Sequence, residues 1–126
     1  MKNGRLVWAT LLFGAAPVWA HHAFAAEYDA TKQVDVKGIV TKMEWTNPHA
    51  HFYVDVKDAD GKVVNWNMEL ASPNVLIRNG WKRTSVKVGD EVTVKASRAK
   101  DGSNTGNTSL ITLPDGRKLT FLAAEP

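Results

Sequence analysis

Residues 51–70, HFYVDVKDADGKVVNWNMEL, decide the fold, because two alternating apolar and polar runs flank a turn. Alternation with a period of two is typical of half-buried strands, and a three-residue loop with Gly61 in the left-handed conformation suits the turn. The resulting register pairs Phe52 with Met68, Val54 with Trp66 and Val56 with Val64 on one face, and His51 with Glu69 and Tyr53 with Asn67 on the other. A shift of one residue would mix the two faces, so we predict this register.

A further strand is predicted before this hairpin. Val34, Val36 and Val40 begin it, and it runs to about Trp45. The alternation slips at Gly38, and a glycine inside a strand often marks a bulge or a sharp bend. We therefore expect an irregular first strand.

The sequence after the hairpin predicts a short helix and more strands. Ser72 is a suitable N-cap, Pro73 suits the first helical position and Gly80 ends the helix, after which Trp81 should seal the core. The remaining predicted elements are a strand at 91–99, a mobile polar loop at 100–107, and a hairpin of strands 108–113 and 118–122.

This order of elements indicates an all-β protein. Three strands, one short helix after the third strand and then further strands are typical of a small Greek-key barrel of the OB type, closed or partly open. An open sandwich is the alternative. The predicted organisation is a signal peptide at 1–20, an N-terminal segment at 21–33 and the barrel domain at 34–126.

The first residues have the pattern of a cleavable secretory signal. Lys2 and Arg5 form a positive region, and residues 6–16 form an apolar region too short to span a membrane. Val-Trp-Ala before the cut favours cleavage after Ala20. Cleavage after Ala25 is the alternative, although it would place two histidines in the cleavage region. We therefore expect export to the periplasm.

Composition limits the possible functions. Removal of Lys2 and Arg5 with the signal lowers the formal charge from +3 to +1, and no basic stripe indicates nucleic-acid binding. The absence of cysteine excludes thiol chemistry and cysteine-held metals. After signal cleavage, the remaining sequence has no apolar stretch long enough to predict a membrane span. No hydrolase, transferase or nucleotide motif is present, which favours a non-enzymatic function and leaves turnover open.

The four histidines form two pairs, His21-His22 and His49-Ala50-His51. If the strand reaches back to His49, then His49 and His51 share its outward face. Cleavage after Ala20 would let His21 chelate an ion through its α-amino and ring nitrogens, resembling the histidine brace of copper proteins. Copper is the first choice and zinc the second, with His22 and Glu69 as helpers. The protein would buffer, sense or deliver the ion.

Other interpretations stay open. The histidines could be an unstructured tail and ordinary surface residues. The outer hairpin face, with Trp45, Tyr53 and Asn67 beside His51, could instead dock a sugar, a peptide or a partner protein. A structural role in the cell envelope, with an unknown envelope protein as partner, is the third hypothesis.

Several segments resemble one known family. They are HHAFAAEYD at 21–29, EWTNPHAHF at 44–52, GW at 80–81 and RAKDGS at 98–103. Together they resemble a family of small exported proteins of Proteobacteria whose domain has no known function. The resemblance implies a periplasmic location and an OB-like barrel. It implies no activity, so no catalytic residue is transferred.

Overall fold

The computed structural model describes residues 24–120. The predicted signal peptide and the histidines at 21 and 22 lie outside these residues. A helical turn at 24–27 precedes the main elements. These are β1 (Tyr28–Glu44), β2 (His51–Lys57), β3 (Val63–Glu69), α1 (Pro73–Arg78), β4 (Glu91–Ala99), β5 (Thr105–Thr112) and β6 (Lys118–Thr120). Over the same stretch, no helix has the length and apolar character needed to cross a membrane.

The strands form one ring-like sheet. Its order is β3-β2-β1-β4-β5-β6, and β3 also pairs with β5, which closes a ring of five strands. The β3–β5 pairing is parallel, whereas the other pairings are antiparallel. Closing the sheet removes free edges from the ring. The prediction of a β-rich protein with one short helix after the third strand is confirmed.

The central hairpin has the predicted register. Phe52 lies opposite Met68, and His51 lies opposite Glu69. The helix is also confirmed, because the Ser72 hydroxyl accepts a hydrogen bond from the Val75 amide at 3.4 Å. The chain leaves the helix through Gly80, whose φ is +86°.

The first strand begins earlier than predicted. It starts at Tyr28 rather than Val34, and Tyr28 lies opposite Ala99 of β4. Residues 28–33 are mostly polar and show no period of two, so their own sequence does not indicate a strand. Pairing with β4 and burial of the Tyr28 side chain hold this segment instead.

Gly38 is not at a bulge. It pairs with Val56 on one side and Val92 on the other, and the irregularity of the β1–β2 pairing lies between Val40 and Lys42. A Cβ atom at Gly38 would lie 2.1 Å from the Asp55 carbonyl oxygen. The glycine is therefore required because two backbones approach closely.

The polar loop after β4 is shorter than predicted. Strand β5 begins at Thr105, so the connection covers residues 100–104 only. The Arg98 guanidinium donates hydrogen bonds to the carbonyl oxygens of Gly102 at 2.7 Å and Ser103 at 3.2 Å. These bonds order the loop on the side of the ring where β3 meets β5.

The apolar faces of the strands fill the interior of the ring. The largest fully buried side chains are those of Phe52, Met68, Leu76, Ile111, Val40, Val54, Val86, Val92 and Val94. Trp81 belongs to the same core and is 2% exposed, as predicted. Within the described residues, this buried cluster runs from Val40 to Leu113.

Candidate functional site

His49 and His51 lie on either side of a fully buried alanine. Ala50 is 0% exposed; its amide donates a hydrogen bond to the Ala71 carbonyl, and its carbonyl accepts one from the Leu70 amide. Strand β2 itself begins at His51 and does not include His49. The bonds of Ala50 nevertheless continue the contact between β2 and β3 by one residue, and they fix the backbone between the two histidines.

Glu69 holds His49 from the facing strand. Its Oε1 lies 2.8 Å from Nδ1 of His49, and its Oε2 accepts a hydrogen bond from the Tyr28 hydroxyl at 2.5 Å. The Glu69 side chain is 12% exposed, whereas that of His49 is 47% exposed. A nearly buried carboxylate thus joins a buried phenol to a surface imidazole.

Tyr28 stays protonated in this arrangement. Burial raises the pKa of the Tyr28 hydroxyl far above its usual value, and the hydrogen bond to Glu69 raises that pKa further. The charges of Glu69, Glu27 and Asp101 act in the same direction, because each opposes a phenolate. The neutral hydroxyl is therefore a constant donor to Glu69.

His51 has a different partner on the same strand as Glu69. Its Nδ1 lies 2.9 Å from Oδ1 of Asn67. The backbone amide of Asn67 donates a hydrogen bond to the backbone carbonyl of Asn104 at the junction of β3 with β5. The backbone of the residue that orients His51 is therefore held where the ring closes.

The two imidazoles share one protonation pattern. Each Nδ1 faces an oxygen that only accepts hydrogen bonds, so each Nδ1 carries the proton in the neutral ring. The lone pair is then on Nε2, and neither Nε2 atom has a hydrogen-bond partner within residues 24–120. Both rings offer the nitrogen that is suited to a metal ion.

The described part of the chain does not supply a complete metal site. No group of three or more His, Cys, Asp or Glu residues in it is arranged to hold an ion. Of the predicted ligands, the structure pairs His49 with Glu69 and places His51 opposite Glu69 in the strand register, whereas His21 and His22 lie outside the described residues.

The start of the described chain lies near this group. The rings of Phe24 and Tyr28 pack with their centroids 5.7 Å apart. The Glu27 carbonyl accepts a hydrogen bond from the Lys100 amide at 2.8 Å, and the Lys100 ammonium donates one to the Ala25 carbonyl. These contacts place the chain that follows the N-terminal histidines beside Tyr28 and Glu69.

The three residues of the alternative docking face have different environments. Trp45 is half-buried and packs against the core. Tyr53 donates to Glu44 at 3.4 Å and lies under the Lys42 ammonium, which is 5.3 Å from the ring centroid. Asn67 orients His51. Lys42 forms an ion pair with Glu44, and its hydrogen bond and charge lower the pKa of the Glu44 carboxyl. This ion pair covers part of the face.

Tyr28 was not predicted as part of the site. Its position in an aperiodic polar stretch gives no sign of its contact with a residue 41 positions later. The feature of the sequence that could have indicated this contact is that Tyr28 is an isolated aromatic residue in a polar stretch.

Comparison with known proteins identifies a family but does not identify an activity. No curated protein and no solved structure matches the chain. A model for a family of unknown function, DUF6152, matches residues 9–108. The match spans most of the chain and includes Tyr28, His49, His51 and Glu69. The chain therefore belongs to the DUF6152 family, whose function is unknown.

Proposed function

We propose that the protein is a periplasmic metal-binding protein that takes copper first and zinc second. Nε2 of His49 and Nε2 of His51 bind the ion, and the α-amino and ring nitrogens of His21 complete the site. The observation that supports this function best is that each of the two imidazoles is held through Nδ1 by an oxygen atom. The protein buffers, senses or delivers the ion.

Glu69 and Asn67 orient the ligands in this proposal. Metal-binding histidines usually donate their second ring N–H to a carboxylate or another oxygen, which fixes the ring and raises its basicity. Both carboxylate oxygens of Glu69 are engaged, one with His49 and the other with Tyr28. In this proposal Glu69 acts on the metal through His49.

The terminal ligand comes from export and cleavage after Ala20. His21 would then be three residues from Phe24, a stretch that spans at most roughly 10 Å when extended. Phe24 packs on Tyr28, and Tyr28 bonds to the carboxylate that holds His49. An α-amino group has a pKa near 8, so it loses its proton to a metal at little cost. His22 is the substitute ligand if His21 does not reach.

The ligand chemistry favours copper. All the proposed donors are nitrogen atoms, and the chain has no cysteine. For such sites the divalent affinity order places Cu²⁺ above Ni²⁺ and Zn²⁺. Zinc accepts the same ligands, so it is the second choice.

An OB-type barrel is the fold that we propose for this site. The parallel pairing of β3 with β5 and the single helix between β3 and β4 support that topology. In it, the histidine pair is at the start of β2 and the orienting residues are at the end of β3, on a rigid framework.

Cupric titration by calorimetry tests the proposal. The protein should begin at His21, and His49→Ala and His51→Ala should be compared with Trp45→Phe and Tyr53→Phe. We expect each histidine substitution to weaken binding at least tenfold while the melting temperature changes little, and we expect the two aromatic variants to bind as the parent does. Equal affinity in all five proteins would refute the site.

A further inference from the structure

The chain between Leu70 and Gly89 has an unusual charge distribution. Twenty residues contain four cations and no acidic residue. The cations are Arg78, Lys82, Arg83 and Lys87, which we call the basic face. The described residues contain fourteen Lys and Arg and twelve Asp and Glu, so their net charge is +2. Because the basic face contributes +4, the rest of residues 24–120 has a net charge of −2.

The cations of the basic face are not neutralised by carboxylates. All four residues are exposed. Within the described chain, none of them forms a salt bridge, whereas Lys37, Lys42, Lys95 and Arg117 each pair with an acidic side chain. Asp90 bonds to the backbone amide of Lys87 and not to its ammonium group. The positive charge therefore faces solvent.

Exposed apolar side chains flank these cations. Ile77 is 56% exposed and Val88 is 66% exposed. Each is adjacent in sequence to a cation of the basic face. A cleft of about 440 Å³ is lined by Lys82, Lys87, Thr84 and Ser85, with Asp90, Asp115 and Arg117 also on its wall. Two of the four cations, Lys82 and Lys87, thus share the wall of one cleft with two hydroxyl side chains, and exposed apolar residues adjoin the cations along the chain.

We infer that the basic face docks on an anionic phospholipid surface. The four cations attract the phosphate groups, and Ile77 and Val88 enter the boundary between headgroups and acyl chains. Exposed aliphatic side chains suit this boundary. Trp81 is buried in the core, so this surface offers no indole for base stacking by a nucleic acid.

Vesicle co-sedimentation tests this inference. The chain from His21 should be mixed with vesicles of phosphatidylglycerol and phosphatidylcholine, and separately with pure phosphatidylcholine. We expect binding to the mixed vesicles only. Lys82→Gln, Arg83→Gln and Lys87→Gln together should weaken it by roughly 100-fold, since each cation near an anionic surface contributes about fivefold. Ile77→Ser with Val88→Ser should also weaken it.

The matched control removes the same charge elsewhere. Lys32, Lys57 and Lys62 are exposed and form no salt bridge within the described chain, so their triple change to Gln should retain most of the binding. Equal loss in both triple variants, or binding to both kinds of vesicle, would overturn the inference. Binding of inorganic phosphate or a single-stranded oligonucleotide without vesicle binding would also overturn it. Circular dichroism would verify that every variant is folded.

Discussion

Nδ1 of His49 lies 2.8 Å from Oε1 of Glu69, and this contact fixes a surface imidazole to a nearly buried carboxylate. The other oxygen of that carboxylate is held by the Tyr28 hydroxyl. An exposed histidine ordinarily samples several rotamers, and this arrangement restricts it. The ring is thereby positioned before any ligand arrives, which lowers the entropic cost of binding.

Changing Glu69 to Gln should weaken copper binding while the fold is retained. Gln has nearly the same shape but lacks the negative charge that holds Nδ1 of His49. Loss of such an orienting partner typically reduces metal affinity by about 10- to 100-fold. Calorimetric titration measures the effect. Glu91→Gln is the control, because Glu91 is an exposed partner of Lys37, and an equal loss in this control would contradict the role of Glu69.

Asn67→Ala should have a similar but smaller effect through His51. The substitution removes the oxygen that accepts from Nδ1 of His51, so the ring can rotate and exchange tautomers. We expect roughly tenfold weaker copper binding. Asn65→Ala is a matched control on the same strand, because Asn65 contacts Asp55 and Thr41 but neither histidine. Unchanged affinity in Asn67→Ala would contradict this role.

Tyr28→Phe should lower the free energy of unfolding at neutral pH by about 2 kcal/mol, since a hydrogen bond to a charged acceptor is lost. The effect depends on pH. The pKa of the Tyr28 hydroxyl is higher in the folded protein than its ordinary value of 10.0 in the unfolded chain. Tyr28 therefore contributes its full stabilisation below pH 10. Above that pH the contribution declines by up to about 1.4 kcal/mol per pH unit. The difference between the parent and Tyr28→Phe should therefore shrink above pH 10.

Denaturant unfolding at several pH values measures that difference. Tyr53→Phe is the control, because its hydroxyl is 3.4 Å from the Glu44 carboxylate on a more exposed part of the surface. We expect it to change stability by less than about 1 kcal/mol. A gap between parent and Tyr28→Phe that stays constant to high pH would disagree with the raised pKa.

Gly38→Ala should be severely destabilising. The added Cβ would lie 2.1 Å from the Asp55 carbonyl oxygen and 2.8 Å from Val54 Cγ1, so β1 and β2 would have to separate. A loss of more than about 3 kcal/mol is expected, because the clash involves backbone. Gly61→Ala meets no neighbouring atom and has only the cost of a positive φ, about 1–2 kcal/mol. Equal losses in the two variants would contradict the close approach at Gly38.

Thr108→Val should stabilise the protein. Thr108 is 6% exposed, and its hydroxyl has no hydrogen-bond partner in the described structure. Valine has the same shape without the unpaired polar atom, so the free energy of unfolding should rise by about 1 kcal/mol. Thr108→Ser keeps the hydroxyl and loses a methyl group, and it should be destabilising. A decrease in stability for Thr108→Val would show that the hydroxyl has a partner.

The sequence predicted the features that depend on local pattern. The register of β2 with β3 followed from strict alternation around Gly61, and the helix followed from Ser72 and Pro73. The start of β1 at Tyr28 could not be predicted in this way, because its support comes from β4, about 70 residues away.

The candidate site was predicted only in part. The alternation placed His51 opposite Glu69, which the structure confirms. The direct partner of Glu69 is His49, however, and that of His51 is Asn67. Side-chain rotamers decide these contacts, and a strand register does not specify them. The second bond of Glu69, to Tyr28, joins residues 41 positions apart and has no local signal.

Electron paramagnetic resonance of the cupric protein is the most direct test of the proposed site. Protein that begins at His21 should be compared with a version that has one additional residue before His21. We expect a single copper per chain with nitrogen couplings from several ligands, and we expect weaker binding with fewer nitrogen couplings in the extended version. Identical spectra and equal affinities in the two proteins would contradict a site completed by the terminal histidine.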